Sequence, residues 1–409
     1  MFALLLISSL LSLLPSCSKS DEVVLNVYNW GEYISDGSDD SLAVNAEFEK
    51  YFNETLSEKY GYKVKVNYTT YSSNEELYAK LKNTNTSYDV IIPSDYLVAR
   101  LIRDGMLQKL NFDNIPNFKY IDSAYIEQNY YDTTNEFSIP YTMGKVGIIY
   151  NTALIEDEID SLSALWDSKY EDLGILQFNN SRDAFALAQF LSGDPLNISV
   201  KEDGGKEVWD RAYRKLLDQK PLVQKYVMDE VFNKMETGNA AIAAYYAGDF
   251  FTMYASNEDL AFCYPKEGSN SFIDAMCIPT CAQNKELAEL YINFMLDPEI
   301  ARANAEYICY ASPHTEVFNN EEYIEYMNEE IHPNAIDILY NDFEKDFKGE
   351  GFTALDNETQ EYLNELWDAL KMEGTTPAYL YITSGAIVAI LVISFIIFAI
   401  RKKRREKTY

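Results

Sequence analysis

The chain has 409 residues, 47% of them hydrophobic, which excludes a single small module and suits two or three packed units. Its formal net charge is −31, and the last nine residues hold six Lys or Arg against one Glu, so the body before them is more negative still. So acidic a body argues against nucleic acid as a partner and draws cations toward any cleft it lines.

The apolar run from Phe2 to Leu14 leads into Leu14-Pro15-Ser16-Cys17, which is similar to a bacterial lipobox. Residues 1–17 are therefore expected to form a lipoprotein signal, with Cys17 carrying lipid. After a polar linker, Val23 to Tyr28 reads as a buried first strand, and apolar spacing predicts a helix over residues 42–60. Lys63 to Tyr68 alternates as a half-exposed strand, Glu75 to Lys82 is helical, and Tyr88 to Pro93 is a strand ending at proline.

The same grammar continues, with strands at Lys145 to Tyr150 and Leu173 to Phe178 and helices at Leu162 to Trp166 and Arg182 to Leu191. Val227 to Thr237 is read as one helix, and the small-residue run Ala240 to Tyr246 as a buried strand. Helices over 286–296, 299–305 and 358–371 close the body. Alternating strand and helix predicts an α/β sheet.

Ala378 to Ile400 carries no charge and is long enough, as a helix, to cross a bilayer. The basic run that follows, within 401–409, places the C-terminus in the cytoplasm and the body on the extracytoplasmic face of the cell membrane. His314 and His332 are the two histidines, with no spacing that suits a metal pair or a triad, so no catalytic residue, metal or cofactor is expected. Cys263, Cys277, Cys281 and Cys309 leave disulfide pairing open.

Several blocks in order carry a more specific signal. They are Tyr28-Asn29-Trp30-Gly31-Glu32-Tyr33, Ser73-Asn74-Glu75-Glu76-Leu77-Tyr78-Ala79-Lys80-Leu81, Tyr88 through Tyr96, Ile139-Pro140-Tyr141 with Gly144, Tyr246-Ala247-Gly248-Asp249, Tyr264 through Gly268, and Asp274 with Ile278-Pro279. From about Val23 to Lys371 the chain resembles the polyamine-binding proteins of the spermidine/putrescine ABC importers. The resemblance implies a type II periplasmic-binding-protein fold, two α/β lobes around a hinge cleft. Lobe 1 would take 22–140 with 274–310 and lobe 2 would take 141–273 with 311–372, the chain crossing near Tyr141, Asp274 and Tyr310. It also implies ABC permease subunits as partners; the alternatives are a binding protein for another cationic solute and a tethered polyamine sensor without transport.

A linear polyamine alternates ammonium groups with methylene chains, so its site needs spaced carboxylates and flat apolar walls. Aromatic faces cover methylenes and attract cations, and charge-assisted hydrogen bonds fix the amines. By resemblance, Trp30, Tyr33, Tyr96, Tyr246, Phe272 and Tyr310 match the aromatic box. Glu32, Asp183, Asp249 and Asp274 match or neighbour the carboxylates, Ser94 matches a hydroxyl that places an amine, and Glu344 corresponds to a polar position late in the second lobe. Tyr245 is assigned to core packing. Asn180 stands where spermidine-binding members tend to have a carboxylate, and Tyr246 and Phe272 where they often have Trp. The Tyr246 to Asp249 block is similar to the form in putrescine-binding members, which leaves the preferred polyamine open.

Overall fold

The computed structural model describes residues 21–83, 87–127, 130–340 and 349–373. Cys17, Glu344, the segment 378–400 and the basic tail lie outside them. Among the described residues, no helix is long and apolar enough to cross a membrane.

Among the described residues ten strands carry the fold: β1 (Asp21–Trp30), β2 (Tyr62–Tyr71), β3 (Val90–Ile91), β4 (Ser138–Asn151), β5 (Ile175–Phe178), β6 (Val223–Val227), β7 (Ile242–Tyr246), β8 (Leu260–Cys263), β9 (Ser269–Cys277) and β10 (Gly349–Gly351). Their order is β2-β1-β3-β9-β4-β7-β5-β6, with β10 beside β9 and β8 beside β4. β1 runs parallel to β2 and β3, and β5 runs parallel to β6 and β7. Each parallel set is covered on both faces, as such sheets require.

In the first lobe, Leu25 and Val27 pack against Phe48 and Phe52 of the helix Val44–Thr55, while Tyr28 and Ile91 pack on the other face against Leu97 and Leu101 of the helix Asp95–Arg103. In the second lobe β7 is buried along nearly its whole length, which is why its residues are mostly Ala and Ile, and the helix Ser181–Ser192 packs between the sheet and the helix Gly205–Gln219.

Two long antiparallel strands join the lobes. The first part of β4, from Ser138, pairs with β9, and Val146 to Tyr150 pairs with β7. β4 bulges at Tyr141, between the pairs Pro140–Ala275 and Thr142–Asp274. A third passage lies at Ala311, which bridges Met143 through a 2.8 Å backbone hydrogen bond. Buried polar links tie this region: Tyr141 donates to the Tyr33 carbonyl at 2.8 Å, and Asn304 donates to Tyr141 at 2.8 Å while accepting from the Ser35 amide at 2.9 Å.

The structure departs from the sequence reading in two places, and it also answers the cysteine pairing that the sequence leaves open. The expected strand from Tyr88 to Pro93 shrinks to Val90–Ile91, because the Asp89 side chain intercepts the amides of Asn26, Gln283 and Asn284. Residue 227 ends a strand, Val223–Val227, and the helix begins only at Glu230; the alternation of Val-Gln-Lys-Tyr-Val fits an edge strand. Cys263, Cys277, Cys281 and Cys309 are all free thiols.

Candidate functional site

A cleft with about 740 Å³ of empty space, open solvent included, lies between the lobes where the parallel strands end. That is where α/β sheets place ligands, since each strand hands over to a helix whose N-terminus faces the crevice. Trp30 closes β1, and Ser94 leads into the helix Asp95–Arg103. Asn180 caps the helix Ser181–Ser192 by accepting from the Asp183 amide at 2.9 Å, and Tyr246 leads into the helix Ala247–Ser256. Acids in these first turns have a local role in stabilising the helix. Five carboxylates nevertheless line one cleft, from Glu75, Asp183, Asp229, Asp249 and Asp274, and among the described residues no Lys or Arg lines it.

Asp274 sits on β9 at the middle of the cleft and is 3% exposed. Tyr33 donates to its Oδ2 at 2.7 Å and shares a second short contact with the Thr142 hydroxyl, so Thr142 supplies the proton of that contact. The other oxygen, Oδ1, is buried without a hydrogen-bond partner. Burial pushes the carboxyl up to about 7, against the pull of the Ser94 and Tyr33 hydroxyls. Asn74 orients Ser94 from the neighbouring helix, donating to its hydroxyl at 3.1 Å.

Asp249 is also pushed up to about 7 by burial, with the Tyr310 hydroxyl opposing and the charges of Asp229 and Glu32 reinforcing. Asp183 is held differently. Asn180 and Tyr246 donate to its Oδ2 at 2.7 and 2.9 Å and Asn270 to its Oδ1 at 2.9 Å; burial still raises it. Behind this end the buried Arg182 guanidinium lies 4.4 Å from the Phe352 ring centre and 5.3 Å from that of Tyr96, and contributes a compensating charge.

Aromatic rings stand between the acids. Tyr33 and Tyr310 meet edge to face with centroids 4.7 Å apart, and Tyr246 meets Phe272 at 5.4 Å. Two glycines admit these rings. A Cβ on Gly248 would sit 2.3 Å from the Tyr310 ring, and one on Gly144 would sit 2.1 Å from Phe272. Behind the wall, the buried Asp95 carboxylate accepts from Tyr130 and, at 3.1 Å, from the Ile273 amide, which fixes β9 one residue before Asp274.

Of the residues singled out from sequence, Trp30, Tyr33, Ser94, Tyr96, Asp183, Tyr246, Asp249, Phe272, Asp274 and Tyr310 all come to the cleft wall. Glu32 does not: a left-handed backbone (φ 49°) turns its side chain out to the exposed rim, so that Tyr33 points inward. Tyr245 is core, 2% exposed and stacked on Phe178, and it also borders the cleft. Sequence reasoning missed Glu75, Asp229, Asn270 and Phe352. The first two follow the ends of parallel strands, a positional signal available from the strand assignment alone.

Residues 85–328 match the model of a family described as bacterial extracellular solute-binding protein, and residues 1–151 match a hypothetical lipoprotein family, the MG045 family. The chain is 32% identical over 296 residues to the spermidine/putrescine-binding periplasmic protein of Salmonella typhimurium, covering 72% of this chain and 78% of the relative. It is 30% identical to the putrescine-binding periplasmic protein SpuD of Pseudomonas aeruginosa, covering 69% and 76%. Among solved structures, the spermidine/putrescine ABC transporter substrate-binding protein PotD of Streptococcus pneumoniae superposes with a TM-score of 0.65 at 29% identity, covering 85% of this chain and 98% of that one.

Proposed function

The chain belongs to the bacterial extracellular solute-binding proteins, and from that membership and the cleft we propose that it captures linear polyamines of the spermidine and putrescine type for an ABC importer. The observation that carries this reading is a cleft with five carboxylates, no lining Lys or Arg among the described residues, and aromatic rings set between the acids. Such a wall repels anions, wastes its charge on neutral sugars, and matches an alternation of ammonium and methylene groups.

In this reading Asp249, Asp274 and the Asp183 corner are three acceptor stations. Tyr33 with Tyr310 walls the first methylene arm, and Tyr246 with Phe272 walls the second. Trp30, Tyr96 and Ser94 complete the site, and Glu32 attracts the amine at the rim. Glu344 keeps its proposed place late in the second lobe. The lobes divide as 22–140 with 274–310 and 141–273 with 311–372, so Asp274 lies at a crossing and contacts from both sides form together when the lobes close.

Lipid at Cys17 and a membrane helix at 378–400 would tether the body outside the cell, with residues 401–409 inside and permease subunits as partners; the match of residues 1–151 to a lipoprotein family supports the first anchor. In intact cells, Lys59→Cys is then labelled by an impermeant thiol reagent and a cysteine placed after Arg401 is not. Calorimetry of the full-length chain against putrescine, spermidine, free amino acids and a disaccharide tests the ligand class. Saturable binding of polyamines alone is expected, and binding of an amino acid or sugar in their place contradicts the reading.

A further inference from the structure

β9 turns Asn270, Phe272 and Asp274 to the cleft at alternate positions. Asn270 is 1% exposed, and its amide nitrogen donates to Asp183 Oδ1. A carboxylate offers acceptors alone, so the amide must present nitrogen to it, and the Asn270 carbonyl oxygen is thereby turned away. That oxygen has no hydrogen-bond partner. Among the described residues lining the cleft, the buried side-chain acceptors left unpartnered are Asn270 Oδ1 and Asp274 Oδ1. A buried acceptor is costly to leave empty, and two on one strand face call for a ligand carrying donors.

They lie four residues apart, about 13 Å along the strand, so one amine cannot serve both. Asp183 beside Asn270 already has three side-chain donors, and Arg182 compensates its charge. Asp249 is a separate station, because Tyr310 faces it while Tyr33 faces Asp274. A diamine fills two stations and leaves one acceptor empty. We propose that Asn270 is a specificity-determining residue whose carbonyl takes a terminal ammonium of a linear triamine, so that the cleft prefers triamines to diamines.

This inference rests on the polyamine reading, and its test separates the two. Calorimetry compares the full-length chain with Asn270→Leu, which keeps the volume and removes the acceptor together with the donor to Asp183 Oδ1, Asn180 and Tyr246 still donating to Asp183 Oδ2. The ligands are putrescine, spermidine, and two spermidine analogues in which one or the other terminal amine is replaced by methyl. The expected result is a cycle. On the unaltered chain one analogue binds about tenfold or more weaker than spermidine, the scale of a hydrogen bond to a charged group. Asn270→Leu weakens spermidine by a similar factor, adds no loss for that analogue, and changes putrescine less than about threefold. Losses that simply add, equal losses for putrescine and spermidine, or spermidine binding within about threefold of the unaltered chain overturn it. Should Asn270→Leu fail to fold, the unaltered chain decides: no tenfold loss with either analogue overturns the assignment. Absence of any polyamine binding overturns the functional reading, and this inference with it.

Discussion

Asp274 illustrates how one residue is kept poor so that a ligand can make it rich. Its Oδ1 is buried and unpartnered, and burial holds the carboxyl near neutrality. An ammonium group there would complete a buried charge pair, and removing one member of such a pair costs about 3 to 5 kcal/mol. Asp274→Asn should therefore lower polyamine affinity a hundredfold or more, read by calorimetry, while the ligand-free protein stays folded. The sign of the pH effect follows from the raised value. The unfolded chain ionises Asp274 near the ordinary carboxylate value and the folded chain only near 7, so its contribution to stability falls as pH rises from about 4 to about 7. Asp249 behaves the same way. Ligand-free melting temperature should decline over that range, and the decline should shrink in Asp274→Asn with Asp249→Asn. Gly248→Ala pushes a methyl into the Tyr310 ring and should weaken binding at least tenfold, whereas Gly105→Ala, where nothing lies within 4 Å, should leave affinity unchanged and cost stability through its positive φ alone. At this scale the aromatic and acidic residues were legible because they fall inside short ordered blocks, such as Tyr246 to Asp249. Asn270 was not, because an Asn on a strand has no meaning until its neighbours Asp183 and Arg182 are placed around it.

Elements explain why those residues meet. β1, β2, β3, β5, β6 and β7 all end toward the cleft, and β4 with β9 passes through it. The alternation of strand and helix was legible from periodicity, and so was the buried run of β7. Less legible were β6, a short edge strand with polar alternation, and β10, which pairs with β9 across a long stretch of chain and carries no local pattern of its own. Phe352, which follows β10 and meets Tyr96 and Arg182, was lost with it. The crossing region is tied by Asn304, which joins Ser35, Tyr141 and, through Tyr141, the Tyr33 carbonyl. Asn304→Leu leaves the buried Ser35 amide without its partner and takes from the Tyr141 hydroxyl the donor it accepts from, though Tyr141 keeps its bond to the Tyr33 carbonyl, and should destabilise the fold by about 1 to 3 kcal/mol, measured by urea unfolding. It should also weaken binding, since Tyr33 is what positions Asp274; unaltered affinity in a destabilised variant would separate the crossing from the site.

As a whole, the molecule is an acidic body that holds two acids, Asp249 and Asp274, in the wall of one cleft, where burial raises both. Net charge was read directly from composition, but its distribution was not, because surface acids and cleft acids are indistinguishable until the lobes are assembled. A polyamine approaching a charge of −31 is steered by it. Association followed by tryptophan fluorescence should slow markedly as ionic strength rises from about 0.01 to 0.15 M, where the screening length shrinks from about 30 to 8 Å. A rate indifferent to salt would remove steering and leave the site intact. The most direct test of the site itself is a crystal structure of the chain with spermidine. The account predicts density in the interlobe cleft, one nitrogen within hydrogen-bond distance of Asp274 Oδ1, another against Asp249, and a terminal nitrogen on the Asn270 carbonyl, with methylenes over Phe272 and Tyr310. Spermidine bound elsewhere, or in the cleft with no nitrogen on Asp274, would contradict it.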